Sequence, residues 1–99
     1  MQLIEIEPHF WELYQQDKQF FLSIAIDLSS VVSCWDLILT AEEILLYQTD
    51  GREAILTLTE QFVVQVYRGD CTGLEQRMAS SQQKKMMNNT FKTWQKQNR

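Results

Sequence analysis

Apolar and polar residues alternate along the first 39 positions and then change to spacings of three and four. Phe20, Leu22, Ile24, Ile26 and Leu28 share one face of an extended chain, while Phe21, Ser23, Ala25 and Asp27 share the other. This is the clearest strand, and its wholly apolar face needs a cover. Leu3, Ile4 and Ile6 with Glu5 and Glu7 around them predict a shorter strand, stopped by Pro8, which has no N–H to give a ladder. From His9 to Tyr14, Phe10, Glu12 and Tyr14 fall on one side and Trp11 and Leu13 on the other. The aromatic density favours a strand, with a helix opening at Pro8 and striped by Phe10, Leu13, Tyr14 and Asp17 as the alternative. Gln15 to Lys18 reads as a polar turn. From Val31 to Leu39, Val31, Ser33, Trp35, Leu37 and Leu39 alternate with Val32, Cys34, Asp36 and Ile38, which again predicts a strand. A helix capped by Ser30 fits the same residues.

The change of period falls at Thr40-Ala41-Glu42-Glu43. Thr40 can accept the backbone N–H of Glu43 while the Glu43 carboxylate reaches back to the Thr40 N–H, a capping box that starts a helix. That helix runs through Ile44, Leu45 and Tyr47 to Asp50-Gly51, where glycine accepts a left-handed end. Ile55, Leu58, Phe62, Val63, Val66 and Tyr67 predict a second helix over Arg52–Arg68; a strand over Ala54–Leu58 followed by a helix capped by Thr59 is the alternative. Asp70-Cys71-Thr72-Gly73 reads as a loop, and Leu74–Ser80 has no clear pattern. In the polar segment after Ser80, Met87, Phe91 and Trp94 form one apolar stripe and predict a terminal helix docked on the body.

Charge divides the chain. Residues 1–75 hold all thirteen acidic groups against Lys18, Arg52 and Arg68, a formal −10, while residues 76–99 hold six cations and no acid, +6. An acidic α+β body over residues 1–80 therefore carries a basic helix or tail over 81–99, within one domain. With 99 residues and 44% hydrophobic content, one core must gather most of the eleven aromatics. The N-terminus lacks the basic and apolar regions of a signal peptide, and no run approaches the roughly 20 apolar residues of a membrane span, so the expectation is a cytoplasmic protein with Cys34 and Cys71 as reduced thiols, one in the core and one in a surface loop.

Candidate chemistry is sparse. His9 is the only histidine, which removes most metal and nucleophilic designs. The carboxylate pairs Glu42/Glu43, Asp50/Glu53 and Asp27/Asp36 could in principle do acid–base work. A first helical turn explains Glu42 and Glu43 as well, through the dipole and the cap. Gly51, Gly69 and Gly73 lack the spacing of a phosphate loop. No cofactor, no metal and no enzymatic activity are expected. Lys84, Lys85, Lys92, Lys96 and Arg99 around Phe91 and Trp94 allow association with single-stranded nucleic acid, although the acidic body repels phosphate.

Trp35-Asp-Leu-Ile-Leu-Thr-Ala-Glu-Glu, followed by Tyr47, Gly51 and the apolar helix around Ile55, Leu58 and Phe62, resembles a small bacterial immunity protein of a toxin–immunity pair over roughly residues 20 to 68. The resemblance lies in size, acidity and a strand-to-capped-helix layout. It implies a cytosolic inhibitor that occludes or clamps a toxin domain, often a basic nuclease. The sequence thus predicts an α+β domain, an antiparallel sheet from the N-terminal half with the C-terminal helices packed on its apolar face. The expected function is neutralisation of a cationic toxin through Asp36, Glu42, Glu43, Asp50 and Glu53, with a nucleic-acid-associated accessory protein as the alternative. A homodimer is compatible with either.

Overall fold

The computed structural model describes residues 1–98; Arg99, counted above in the basic tail, lies outside them. The element order is β1 (Gln2–Glu7), β2 (Trp11–Gln16), β3 (Gln19–Asp27), β4 (Val32–Ile38), α1 (Ala41–Asp50), α2 (Arg52–Tyr67), α3 (Thr72–Glu75) and α4 (Ser81–Gln97). The strands form one antiparallel sheet in the order β1-β2-β3-β4, so the α+β class and the strand readings of His9–Tyr14 and Val31–Leu39 hold. Each hairpin turn contains one residue with positive φ: His9 at 65°, Asp17 at 55° and Ser29 at 74°. Tight hairpins need that geometry to match strand twist, and Asp tolerates it better than most residues.

The face predicted to need a cover is buried. Trp11, Leu13, Leu22, Ile24, Ile26 and Leu37 pack with Ile55, Leu58, Phe62 and Val66 of α2, whose spacings of three and four put those four residues on one stripe. Arg52–Tyr67 is one continuous helix, so the alternative strand over Ala54–Leu58 does not form. α1 buries none of its residues completely, and Ile44 and Tyr47 rest partly against the core. Gly51 separates the two helices at φ 66°, ψ −141°, a region open to glycine almost alone.

The edge strand β1 is irregular. Its register shifts between Leu3 and Glu5, so Ile4 is accommodated as a bulge and joins the core under α1 and α2. Glu5 and Glu7 then pair with the buried Leu13 and Trp11, on the α1–α2 side of the sheet. Arg52, the first residue of α2, meets both carboxylates at 3.3 and 2.7 Å, donates to the Ile6 carbonyl at 3.1 Å and lies 4.8 Å over the Trp11 ring. Tyr47 of α1 donates to Glu5 at 3.0 Å. Two exposed-looking glutamates of the sequence thus hold α1 and α2 against β1.

The opposite face corrects the expectation that every helix packs on one side. Leu3, Tyr14, Phe21 and Ile38 stand opposite one another across all four strands and form an apolar row. Tyr14 and Phe21 are buried there with Ala79 and Met87, and Phe91 packs against them, so α4 covers this second face. The sheet therefore lies between α1–α2 and α4. A capping box starts α4: Ser80 accepts the Gln83 N–H at 3.1 Å while the Gln83 side chain accepts the Ser80 N–H at 2.8 Å. Met87 and Phe91 of the predicted stripe dock on this face, and Trp94 stacks on Phe91 with ring centroids 5.8 Å apart.

Leu74–Ser80, which had no clear pattern, closes the structure. Leu74 is wholly buried, and the segment that follows pairs with the free side of β4: Ile38 N–H to Arg77 carbonyl at 2.9 Å and Ala79 N–H to Asp36 carbonyl at 2.8 Å. The thiols are also placed differently from the expectation. Cys34 of β4 is exposed, whereas Cys71 is partly buried against the main core; both are free.

Candidate functional site

The five acidic residues singled out by sequence do not form one site. Glu43, Asp50 and Glu53 line a groove of about 490 Å³ between α1 and α2. Glu42 is exposed in the first turn of α1 and does not line it. Asp36 lies on the other face of the sheet.

The groove arises because α1 is short, ends at Gly51 and leans on α2 through few apolar residues. Leu46, Ala54 and Leu58 contribute its apolar lining, and Leu46 remains 54% exposed. Asp50 and Glu53 flank this lining, and among the described residues neither forms an ion pair. Glu43 is committed elsewhere. Both its oxygens take hydrogen bonds from Arg77, one of them also accepts the Thr40 N–H at 2.8 Å, and Thr40 completes the capping box by accepting the Glu43 N–H at 3.3 Å. Burial pushes the Glu43 pKa up, but the bonds from Arg77 and Thr40 outweigh that and hold it below the ordinary carboxylate value. Arg77 further donates to the Ile38 carbonyl at 3.1 and 2.8 Å and lies 5.2 Å over the Phe62 ring. Glu43 is therefore a structural group that happens to border the groove.

Asp36 belongs to a second cavity, of about 390 Å³, on the α4 side. Glu12 pairs with Ser23 and Ser23 with Asp36, a polar row across three strands beside the apolar row under α4. Tyr14 donates to Glu12 at 3.3 Å, which is long for a hydroxyl–carboxylate bond. Burial raises the Glu12 pKa, the Tyr14 bond lowers it and the Asp36 charge raises it, for a net upward displacement. Tyr14 itself is pushed up, chiefly by burial and then by Glu12. Lys84 and Lys85 of α4 border the same cavity without an ion pair to either carboxylate. Glu12 was visible in the sequence only as a polar position in β2; its neighbourhood with Asp36 appears once the register is known.

A carboxyl whose pKa is raised on folding binds its proton more tightly in the folded state. Its stabilising contribution is full below the unfolded pKa and is lost as pH rises through the folded one. Replacing Glu12 with Gln should therefore leave stability near its wild-type level in acid and raise it at neutral pH. Urea unfolding of both proteins at pH 4 and pH 7 checks this, and an equal effect at the two values would contradict it.

In chemical terms the α1–α2 groove offers an apolar socket beside unpaired carboxylates, suited to an apolar side chain flanked by cations. No group of three or more His, Cys, Asp or Glu among the described residues is arranged to hold a metal ion, and no described helix is long and apolar enough to cross a membrane. Comparison of the chain with protein-family models, curated proteins and solved structures finds no match.

Proposed function

We propose that this chain is a non-enzymatic protein-binding module that takes a cationic, amphipathic segment of a partner in the α1–α2 groove. The observation that carries the reading is the joint exposure of Leu46 and the unpaired carboxylates Asp50 and Glu53 around one apolar lining. An apolar anchor supplies most of the affinity of such contacts, while complementary charge speeds encounter and rejects wrong partners. The −10 charge of residues 1–75 extends the attraction beyond the groove itself. With the resemblance noted for residues 20 to 68, our reading takes the partner to be a toxin domain and the chain its inhibitor. Of the five residues expected to bind it, the proposal rests on Asp50 and Glu53, with Glu42 as a nearby contributor to the field. Glu43 and Asp36 drop out, the first by its bonds to Arg77 and the second by its position.

Calorimetric titration with a Leu- and Lys-rich amphipathic helical peptide tests the groove. Binding should weaken with added salt, and Asp50→Lys with Glu53→Lys should reduce affinity roughly ten- to hundredfold. Unchanged affinity in that double variant would sink the reading. The toxin identification is tested separately, by binding to the product of a neighbouring reading frame. The alternative of nucleic-acid association through α4 draws no specific support from the geometry, since Phe91 and Trp94 stack on each other and Phe91 packs on the sheet.

A further inference from the structure

The two edges of the sheet are protected very unequally. β1 carries a bulge, is followed by Pro8, bears Glu5 and Glu7, and has its Ile6 carbonyl capped by Arg52. These are the devices by which edge strands avoid pairing with other chains. β4 has them along only half its length. Ile38 and Asp36 point outward and are taken by Arg77 and Ala79. By the two-residue period of a strand, Cys34 and Val32 point outward as well. The Val31 carbonyl, which accepts the Leu28 N–H at 2.8 Å, faces inward as that period requires. Among the described residues nothing bonds the outward groups of Val32 or Cys34. The pairing of β4 with β3 runs without a bulge, and Leu28–Trp35 holds neither charge nor proline. Val31 is 64% exposed, Val32 is 59% exposed, and Cys34 is exposed beside them.

We propose that this bare half-edge pairs with the same half-edge of a second copy, antiparallel about a two-fold axis at Ser33. Val32 then stands opposite Cys34 of the second copy and exchanges both backbone hydrogen bonds with it, and the symmetry repeats the pair. Val31 meets Trp35. A register centred on Cys34 is blocked, because it would set Val32 of one copy against Asp36 of the other, where Ala79 already bonds. A second copy suits this surface for an electrostatic reason. Two copies, each with a formal net charge of −4, repel over the acidic parts of their surfaces, and an uncharged segment lets their backbones approach. A cationic partner gains nothing from Leu28–Trp35, so this edge is independent of the α1–α2 groove. The contact is short, and the dimer is correspondingly weak and concentration-dependent.

Sedimentation equilibrium of the whole chain from micromolar to sub-millimolar concentration tests the proposal. The mass should rise from 11.7 kDa towards twice that value, and added salt should favour the dimer by screening, the reverse of its effect on peptide binding in the groove. Val32→Lys, at an exposed position, should hold the protein monomeric, as should Cys34→Pro, which removes an outward N–H and no bond to β3. Circular dichroism reports whether each variant is folded, and Val32→Lys alone suffices if the proline variant is not. The two Cys34 thiols lie diagonal to one another, about 7–8 Å apart between backbones. A short bis-maleimide, which adds one thiol at each end to form thioethers, should therefore join them in wild type and Cys71→Ser but not in Cys34→Ser. A protein that stays monomeric throughout, or a dimer that survives Val32→Lys, overturns the proposal.

Discussion

Arg77→Ala should be among the most damaging single substitutions in this chain, lowering stability by about 3 kcal/mol. The side chain joins three elements that sequence separates. It bonds both oxygens of Glu43 in α1, donates twice to the Ile38 carbonyl at the end of β4 and covers the Phe62 ring of α2. Arg77 and Glu43 are each only 18% exposed. Breaking a buried pair from one side costs roughly 3–5 kcal/mol, because the remaining charge keeps its desolvation without its partner, and the slight exposure here puts the effect at the lower end. For a domain of this size that corresponds to a fall in Tm of roughly 12–24 °C. The pH dependence should change as well. Glu43 has a depressed pKa in the folded state, so its contribution is present above the unfolded pKa and lost as pH falls through the folded one. Thermal unfolding of Arg77→Ala should show a flatter acid limb than wild type. A variant within about 0.5 kcal/mol of wild type, the range of ordinary surface changes, would contradict the account.

Phe21→Ala should cost about 3–5 kcal/mol, the range for truncating a fully buried aromatic. Its ring is inaccessible, and it centres the apolar row that α4 covers, between Tyr14 and Ile38 and with Met87 above. The loss should be local before it is global. Amide exchange in the variant should rise more in Ser81–Gln97 than in Arg52–Tyr67, because α2 packs on the other face with a separate set of residues. Equal acceleration in both helices would show that the two faces are not independent in this way.

The contrast between those two substitutions indicates what could be read from the chain. The strand through Phe20–Leu28 was legible because one face is uninterrupted by polar residues, and the Thr40–Glu43 cap because a capping box is local chemistry written in four consecutive residues. Ser80 and Gln83 carry the same signature and could have fixed the start of α4. The second apolar face was harder. Phe21 alone, between Ser23 and Gln19 on its side of β3, looks like an isolated exposed aromatic; it becomes part of a row only when register brings Tyr14, Ile38 and Leu3 alongside. The same holds for the candidate site. Asp50 and Glu53 were singled out with the other carboxylates near the sheet-to-helix junction, and both line the groove between α1 and α2. Asp36 was grouped with them by nearness in sequence, whereas the sheet sets it across Ser23 from Glu12, twenty-four residues earlier. Arg77 gave no local signal at all, since its side chain meets Ile38 and Glu43 more than thirty residues away and Phe62 fifteen residues away.

These placements leave the groove between α1 and α2 as the surface on which the proposed function turns. The most direct measurement is an amide chemical-shift titration of the isotopically labelled protein with the Leu- and Lys-rich helical peptide at low salt. The account predicts saturable shifts concentrated at Leu46, Asp50, Glu53, Ala54 and Leu58, suppressed in the Asp50→Lys, Glu53→Lys variant. Shifts centred instead on Glu12, Asp36 and α4, or none beyond a diffuse salt-like response, would contradict it.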